Sequence, residues 1–317
     1  MGDAERLMRC DLHVHSRYSG AATVPVLRHL TRECYSEPRA VYEAARGRGM
    51  DLVTLSDHDT IAGALELEAL PGTFVSEEVT CFAPSGGELH LGVFDIRERD
   101  HEALRARRRD LEAFFAYAAE RSIPVCLNHP FSALTGRREH DDLAHALRGA
   151  SHLETLNGMM SAGSNERARA AARGARLASV GGSDAHTLAS VGRAFTCIRA
   201  RDRGEFLAGL RAGLTIPAGR SGSYARLTAD ITRLAAEACW DQAWRARSGD
   251  GTEKARLAAL VALLPFTPLL PLVTAFTYAD EQLFAWRHFR RHARVQTPST
   301  RRRPPMIGAA APGTPTP

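Results

Sequence analysis

The sequence contains 317 residues, of which 44% are hydrophobic and 24% are charged, a mixture typical of a soluble globular protein and not of a disordered chain. The net charge is +5, but seven of the 41 basic residues lie between positions 287 and 317, where no acidic residue occurs. The other 34 basic residues stand against 36 acidic ones. The body of the chain is therefore nearly neutral, which argues against extended nucleic-acid contact.

Short apolar runs alternate with helix-like stretches as far as about residue 220. The runs that predict strands are 8–15, 51–56, 74–80, 89–94, 123–128, 152–156, 179–183 and 194–198. The helix-like stretches between them are 38–48, 103–121, 141–147, 165–173 and 203–211. Strands separated by helices are typical of βαβ units and indicate a parallel sheet or barrel.

The pattern changes after residue 222. Residues 224–247 predict an amphipathic helix, 257–276 carry no charge, and 279–294 are basic and helix-like. The last residues are rich in Pro, Thr and Ala, which predicts disorder. We therefore expect a catalytic domain at 1–222, a helical C-terminal region at 223–297 and a disordered tail at 298–317.

The apolar segment 257–276 is long enough to span a bilayer, but Pro265, Pro268 and Pro271 would interrupt a simple spanning helix. The alternatives are a helical hairpin packed on the catalytic domain, self-association, or a peripheral membrane contact through 257–294. Six scattered cysteines without a CxxC pair, and an N-terminus without a secretory signal, predict reduced thiols in the cytoplasm. Membrane association stays open beside that location.

Five short segments concentrate residue types that bind metals. In the first, side-chain alternation along a strand would place Asp11, His13 and His15 on one face, so two imidazoles could hold one ion. The other four segments follow or lie within strand-like runs, where α/β enzymes place catalytic groups. Asp59 could instead cap a helix, and His90 could be an ordinary strand histidine. These segments contain Asp57, His58, Glu77, Glu78, His90, His129, Asp184 and His186.

Taken together and in this order, the motifs resemble those of the PHP family, the polymerase and histidinol phosphatase domains. The matching stretches are DLHVHS, SDHDT, the glutamate before VT, the histidine of HLGVF, NHP and SDAH, within residues 8–220. The resemblance implies a distorted (β/α)7 TIM-like barrel, here with a C-terminal helical extension. It also implies two or three divalent ions, commonly Zn, Mn or Fe.

The resemblance further implies which residues hold each ion. His13, His15, Glu78 and Asp184 would hold the first, and Glu78, His90 and His129 the second. Glu78 would be the bridge, chosen over Glu77 because the family has Glu-apolar-Thr/Ser at this point. His58 and His186 would serve a third ion. The acidic residue that many members carry after HxH is absent, because the stretch reads Ser19-Gly20-Ala21-Ala22.

The expected reaction is hydrolysis of a phosphate monoester, a nucleotide or a small phosphorylated metabolite, by a metal-bridged hydroxide. His186 and Asp57 are the candidate catalytic residues apart from the bridging ligands. The alternatives are a phosphodiesterase or nuclease acting on short nucleic-acid ends, and a non-catalytic metal-binding module tethered to a partner or membrane. Candidate substrate contacts are Arg137, Arg138, Asn157 and Arg193, since arginine binds phosphate bidentately.

Overall fold

The computed structural model describes residues 6–22, 30–132, 135, 140–249 and 251–295. Nine strands form two sheets within these ranges. The strands are β1 (Arg6–Asp11), β2 (Leu52–Val53), β3 (Ser76–Phe82), β4 (Glu88–Phe94), β5 (Val125–Leu127), β6 (His152–Asn157), β7 (Ala178–Gly182), β8 (Ala194–Ala200) and β9 (Ile216–Gly219). One sheet has the order β2-β1-β8-β9 and the other has the order β3-β4-β5-β6-β7.

The expected barrel is wrong for the part of the chain that the structure describes, where the strands form two open sheets in a mixed α/β fold. A closed barrel needs an unbroken ladder around its whole circumference. Here β2 is two residues long, and only single bridges, Val53 to Thr73 and His58 to Glu78, join its segment to the chain around β3. Four of the seven strand pairs are antiparallel, including the β3–β4 hairpin, which has no intervening helix.

Ten α-helices lie within the described ranges. They are α1 (Pro38–Gly47), α2 (Ala62–Glu66), α3 (Glu98–Arg107), α4 (Leu111–Glu120), α5 (His140–Gly149), α6 (Ala162–Ala175), α7 (Arg203–Arg211), α8 (Tyr224–Ser248), α9 (Gly251–Leu263) and α10 (Leu270–Val295). Side chains that accept a backbone N–H start four of them, namely Asp110, Ser161, Asp202 and Ser223. Such caps satisfy amides that the first turn leaves unpaired.

The apolar core lies between the sheets and helices α1 to α7. Its largest fully buried side chains include Phe94, Phe114, Phe131 and Phe206. Because both faces of the central strands are covered, β5 and β6 are buried along their whole length. The core thereby fixes the strand ends from which the polar residues of the candidate site project.

The C-terminal helices α8, α9 and α10 form what we call the C-terminal arm (224–295), in which α8 runs antiparallel to α9 and α10. Thr228 of α8 contacts Thr274 of α10 at 2.7 Å, and Gln242 of α8 donates to Glu253 of α9 at 2.7 Å. A 3-10 turn at Leu264–Leu269 joins α9 to α10. The stretch 251–284 is long and apolar enough to cross a membrane by length and composition, and 11% of its most apolar window is buried. The tail expected at 298–317 lies outside the described residues.

The arm holds two loops of the part of the chain before residue 223. Asp230 of α8 accepts hydrogen bonds from Thr187 at 3.0 Å and Ser190 at 2.7 Å, just after His186. Glu281 of α10 accepts a hydrogen bond from Ser132 at 2.9 Å, three residues after His129. Both carboxylates are buried. The arm therefore supports the backbone that follows two of the candidate ligands.

His152 in β6 makes the folded state sensitive to acid. It is buried, and its Nε2 donates to the carbonyl of Leu210 at 2.9 Å, while burial lowers its pKa to about 4. The unfolded chain binds this proton near pH 6.5, so stability is complete above that pH and falls as the pH drops towards 4. Urea unfolding should show a loss of up to roughly 3 kcal/mol from this residue.

The matched variants are His152→Gln and His145→Gln, the second on α5 with its contact to Arg148 on the same helix. The loss between pH 7 and pH 4.5 should shrink in His152→Gln and persist in His145→Gln. Equal losses in both variants would contradict this account of His152.

Candidate metal centre

All eight residues proposed as ligands converge at one place in the structure. His13 and His15 follow β1, His58 follows β2, and Glu78 and His90 lie in the β3–β4 hairpin. His129 follows β5, and Asp184 and His186 follow β7. Four overlapping trios could each hold a metal ion, and they are His13/His15/Asp184, His13/Glu78/His129, His58/Glu78/His90 and His15/His58/His186.

Glu78 lies at the middle of this cluster and is completely buried. Its Oε2 lies 3.3 Å from His13 Nε2 and 3.5 Å from His15 Nε2. Its Oε1 lies 3.2 Å from His129 Nε2 and 3.5 Å from His90 Nδ1. His58 Nδ1 also lies 3.3 Å from Oε2. The two oxygens of one carboxylate thus face two different groups of imidazoles, an arrangement that suits a bridge between two cations.

Glu77 points away from the cluster. Its Oε2 lies 2.7 Å from Nδ1 of His101 on α3. Alternation along β3 accounts for the difference, because neighbouring side chains face opposite sides of the strand.

The donor atoms of the first proposed site have distances that suit a small cation. His13 Nε2 and His15 Nε2 lie 3.5 Å and 3.4 Å from Asp184 Oδ1, close to their distances from Glu78. Ligand atoms around a tetrahedral ion with bonds of about 2.1 Å lie about 3.4 Å apart. The set of two imidazoles and two carboxylates therefore fits one divalent ion.

Two buried imidazole nitrogens support the same fit. His15 Nε2 and His90 Nδ1 are shielded from solvent and make no hydrogen bond with the described residues. A buried polar atom without a partner is costly, and a bound cation would remove that cost. Both nitrogens face carboxylate oxygens within this cluster.

The opposite nitrogens of the histidines are held by further residues. His13 Nδ1 lies 2.8 Å from Glu154 Oε1, and His15 Nδ1 lies 2.9 Å from the hydroxyl of Ser19. Because the Ser19 hydroxyl donates to Asp57 at 2.8 Å, it accepts from His15. Nδ1 then carries the proton in both rings, so each Nε2 has a free lone pair for a cation.

Glu154 is a supporting residue that the sequence interpretation missed. It is buried in β6, and its Oε2 accepts hydrogen bonds from the backbone of His129 and from Asn157, at 2.8 Å and 2.9 Å. Asn157 also donates to Asp184 at 3.1 Å. The predicted substrate contact Asn157 is buried and donates to these two carboxylates. Glu154 is a charged residue inside an otherwise apolar strand pattern. A buried carboxylate at that position was the signal from which its role could have been predicted.

Glu33 is a second residue that the sequence interpretation missed. Its Oε2 lies 3.4 Å from His58 Nε2, and its Oε1 lies 3.5 Å from His186 Nε2. Burial raises the pKa of Glu33, but the imidazoles of His58 and His186 lower it to about 2. An acid therefore stands beside the proposed third site, from the segment before α1. No motif marks this position, because Glu33 follows HxH by 18 residues.

Asp57 and Asp11 both accept hydrogen bonds that hold the segments carrying the proposed ligands. Asp57 accepts from Ser16 N at 2.6 Å and from Ser16 Oγ at 2.7 Å, in addition to Ser19. Asp11 accepts from the backbone of Ser183 and Gly192, at 2.8 Å and 2.7 Å. Asp57 thus lies behind His15, and Asp11 ties β1 to the loop that carries Asp184.

Unusual backbone geometry accompanies two of the ligands. His129 has φ of 25° and Asp184 has φ of 53°, a region that side chains rarely adopt and that concentrates at functional sites. Gly182, next to this loop, leaves no room for a side chain, because a Cβ there would lie 2.3 Å from the Cβ of His13. Close approach of β7 to His13 therefore requires glycine at this position.

Burial and the neighbouring charges shift the pKa values of the imidazoles in opposite directions. Burial, with the nearby imidazole of His186, lowers the pKa of His15 to about 3, so this ring is neutral. Burial also lowers the pKa of His186, but Glu33 and Asp184 raise it to about 9. His90 is similar, since Glu78 outweighs burial and raises its pKa to about 9.

The structure says less about the other three residues that were predicted to contact the substrate. Arg137 and Arg138 lie outside the described residues. Arg193 follows the loop after Asp184, and burial together with Arg226 and Arg220 lowers its pKa. Its Nε is buried and makes no hydrogen bond within the described ranges. Its role as a phosphate contact stays a prediction.

Three comparisons with known proteins bear on this arrangement. An uncharacterized protein from Methanocaldococcus jannaschii is 35% identical over 72 residues, which are 23% of this chain, and the match spans 41% of that relative's length. The crystal structure of PsfC from Pseudomonas syringae PB-5123 superposes with a TM-score of 0.53 at 15% identity. That likeness of fold covers 73% of this chain and 99% of PsfC.

A crystal structure from Bifidobacterium adolescentis, of a protein provisionally named a metal-dependent phosphoesterase, matches at 16% identity with a TM-score of 0.44. The match covers 64% of this chain and 96% of that protein.

A sequence profile described as PHP-associated matches residues 162–215, the region that contains Asp184 and His186. Of the motifs that resemble PHP sequences, SDAH follows strand β7 and the others precede it in the chain. Their side chains meet in one cluster. The profile match and the motifs together support assignment of the chain to the PHP family, the polymerase and histidinol phosphatase domains.

Proposed function

We propose that this protein hydrolyses a phosphate monoester, carried by a nucleotide or another small phosphorylated metabolite, and that it requires divalent metal ions. The observation that carries the proposal is the position of Glu78, whose two oxygens face separate groups of imidazoles. Two divalent cations about 3.5–4 Å apart are the usual means of hydrolysing phosphate esters.

The donor set favours Zn, Mn or Fe as the ions. Six imidazoles surround Glu78 and Asp184, and imidazole suits these metals better than Mg, which prefers oxygen ligands. His13, His15, Glu78 and Asp184 would hold the first ion. His90 and His129 would hold the second together with Glu78, and His58, His186 and Glu33 would hold a third.

Bound divalent ions lower the pKa of a coordinated water to about 7 and neutralise charge on the phosphoryl oxygens. The residues of the chain orient this chemistry. Glu154 and Ser19 fix the rings of His13 and His15, and Asn157 steadies Asp184. His186 holds a proton on Nδ1, which donates to the backbone carbonyl of Asp184 at 2.9 Å. Its Nε2 is then the atom that binds a third ion or protonates the leaving group.

Phosphate release from a panel of nucleotide, sugar and amino-acid phosphates tests the proposal, with Zn or Mn added to the purified protein. We expect turnover of at least one monoester and its loss in His15→Ala. Cleavage of labelled oligonucleotide ends in place of monoesters would favour a phosphodiesterase. Tight metal binding without any turnover would favour a non-catalytic module and would contradict the proposal.

Glu33 gives this proposal a separate measurable consequence. Glu33→Gln should weaken the third ion because the amide cannot neutralise a cation that the histidines share. We expect the metal content of the purified protein to fall from about three ions to about two per chain. The affinity for the third ion should weaken by roughly 10- to 100-fold.

The control for this variant is Glu37→Gln, since Glu37 is exposed near Glu33 and pairs with Arg17 at the surface. It should keep the full metal content. A Glu33→Gln protein with unchanged metal content would show that Glu33 is no ligand.

A further inference from the structure

The C-terminal arm exposes an apolar segment of which the described residues cover only a small part. Residues 257–276 carry no charge, and only Leu260 and Thr274 among them are buried. Phe276 is 70% exposed, Phe266 is 60% exposed and Leu272 is 56% exposed. Isolated exposed apolar side chains are ordinary, but a continuous surface of this kind marks an interaction site.

The exposed residues surround the helical segment on most sides. Consecutive positions such as Leu263 and Leu264, and Leu272 and Val273, are all exposed. A helix that binds one protein partner usually offers one apolar stripe with polar residues opposite. Apolar character nearly all round fits an apolar solvent, such as the acyl chains of lipids, better than a second folded surface.

Helix α8 argues against a membrane-spanning arrangement of this segment while the arm is intact. The contacts of Thr228 with Thr274 and of Gln242 with Glu253 align α8 along the apolar segment. Arg233, Glu237 and Asp241 of α8 lie between these two contacts in the chain. Such charges are disfavoured inside the hydrocarbon region, so the arm fits the plane of the membrane surface with α8 towards water.

Basic and aromatic residues flank the apolar segment at both ends. Lys254 and Arg256 precede it, and Arg287, Arg290, Arg291 and Arg294 follow it in the sequence. Trp240 and Trp244 of α8 are 78% and 65% exposed, near the end that Gln242 joins to Glu253, and Trp286 is exposed beyond the other end. Tryptophan is enriched at membrane interfaces, and clustered arginines attract anionic headgroups.

We propose that residues 257–276, with the flanking basic residues, bind the surface of a membrane that contains anionic phospholipids. The arm then lies in the interface, while its contacts at Asp230 and Glu281 hold the catalytic part beside the membrane. The proposal concerns binding alone and is independent of the hydrolytic activity.

Vesicle flotation with the full chain tests the proposal. Wild-type protein should float with phosphatidylserine/phosphatidylcholine vesicles at low salt, and high salt or pure phosphatidylcholine should reduce the bound fraction severalfold. The double variant Phe266→Asp/Phe276→Asp should lose at least tenfold of this binding. The control Leu214→Asp changes an equally exposed apolar residue outside the arm and should bind like the wild type.

Metal content and thermal unfolding of each variant verify that the fold is retained. Failure of the wild type to float would overturn the proposal. A different result would also overturn it. In that result, light scattering shows that the wild type is a dimer and that Phe266→Asp/Phe276→Asp is a monomer, while both proteins float equally.

Discussion

Replacing Glu78 with glutamine should lower kcat/KM for phosphate release by about a thousandfold or more. A bridging carboxylate helps to place two cations that together contribute several kcal/mol to the transition state, and each 1.36 kcal/mol is a factor of ten. The amide also removes the negative charge that balances the cations. Both oxygens of Glu78 face imidazoles, so glutamine would place an amide nitrogen against at least one of these rings.

Glu77→Gln is the matched control because Glu77 is the adjacent residue, equally buried, and contacts His101 on the opposite side of β3. We expect Glu77→Gln to affect stability while retaining metal and turnover in the folded fraction. Metal analysis should accompany the kinetics. A Glu78→Gln enzyme that keeps both its metal and its rate would remove the basis of the proposed function.

Removing the metal should lower the melting temperature by about 10 °C. An ion present at a thousand times its dissociation constant contributes about 4 kcal/mol of stability, and each kcal/mol corresponds to roughly 2–4 °C in a domain of this size. The physical source is the cluster itself, in which Glu78 and Asp184 are buried beside six imidazoles. Differential scanning calorimetry before and after dialysis against a chelator measures the change.

Two comparisons make the stability result specific to this site. Restoring Zn or Mn should recover the melting temperature of the wild type, whereas Glu78→Gln should respond weakly to both treatments. If the chelator shifts the wild type and Glu78→Gln equally, the ions responsible are bound elsewhere.

The sequence predicted local structure better than it predicted closure of the sheet. All eight strand-like runs contain strands, although β1 stops at Asp11 before the HxH pair and β2 shrinks to two residues. The short strand β9 was missed, and the single helix expected at 103–121 is divided into α3 and α4. Periodicity reveals which residues are buried, but strand direction and ladder continuity depend on pairings distant in sequence.

The candidate site divides in the same way. Recognisable motifs contain the ligands that directly follow strands, such as His13, His15, His129 and His186. A ligand at a strand end occupies a fixed place relative to an apolar run, so a short pattern reveals it. Glu33 and Glu154 have no such signal, since each contacts ligands that are 25 or more positions away in the chain. Their contributions arise from packing between elements, which a single sequence does not encode in any short pattern.

The hydrogen bonds that Asp230 and Glu281 accept give the C-terminal arm a consequence for experimental design. Cutting the chain before residue 224 would strip Thr187, Ser190 and Ser132 of their carboxylate partners and uncover the loops that carry His186 and His129. In a shortened protein, the loss of membrane binding could therefore not be distinguished from a change in the structure of the metal centre. Point changes on the outer surface of the arm separate the two effects.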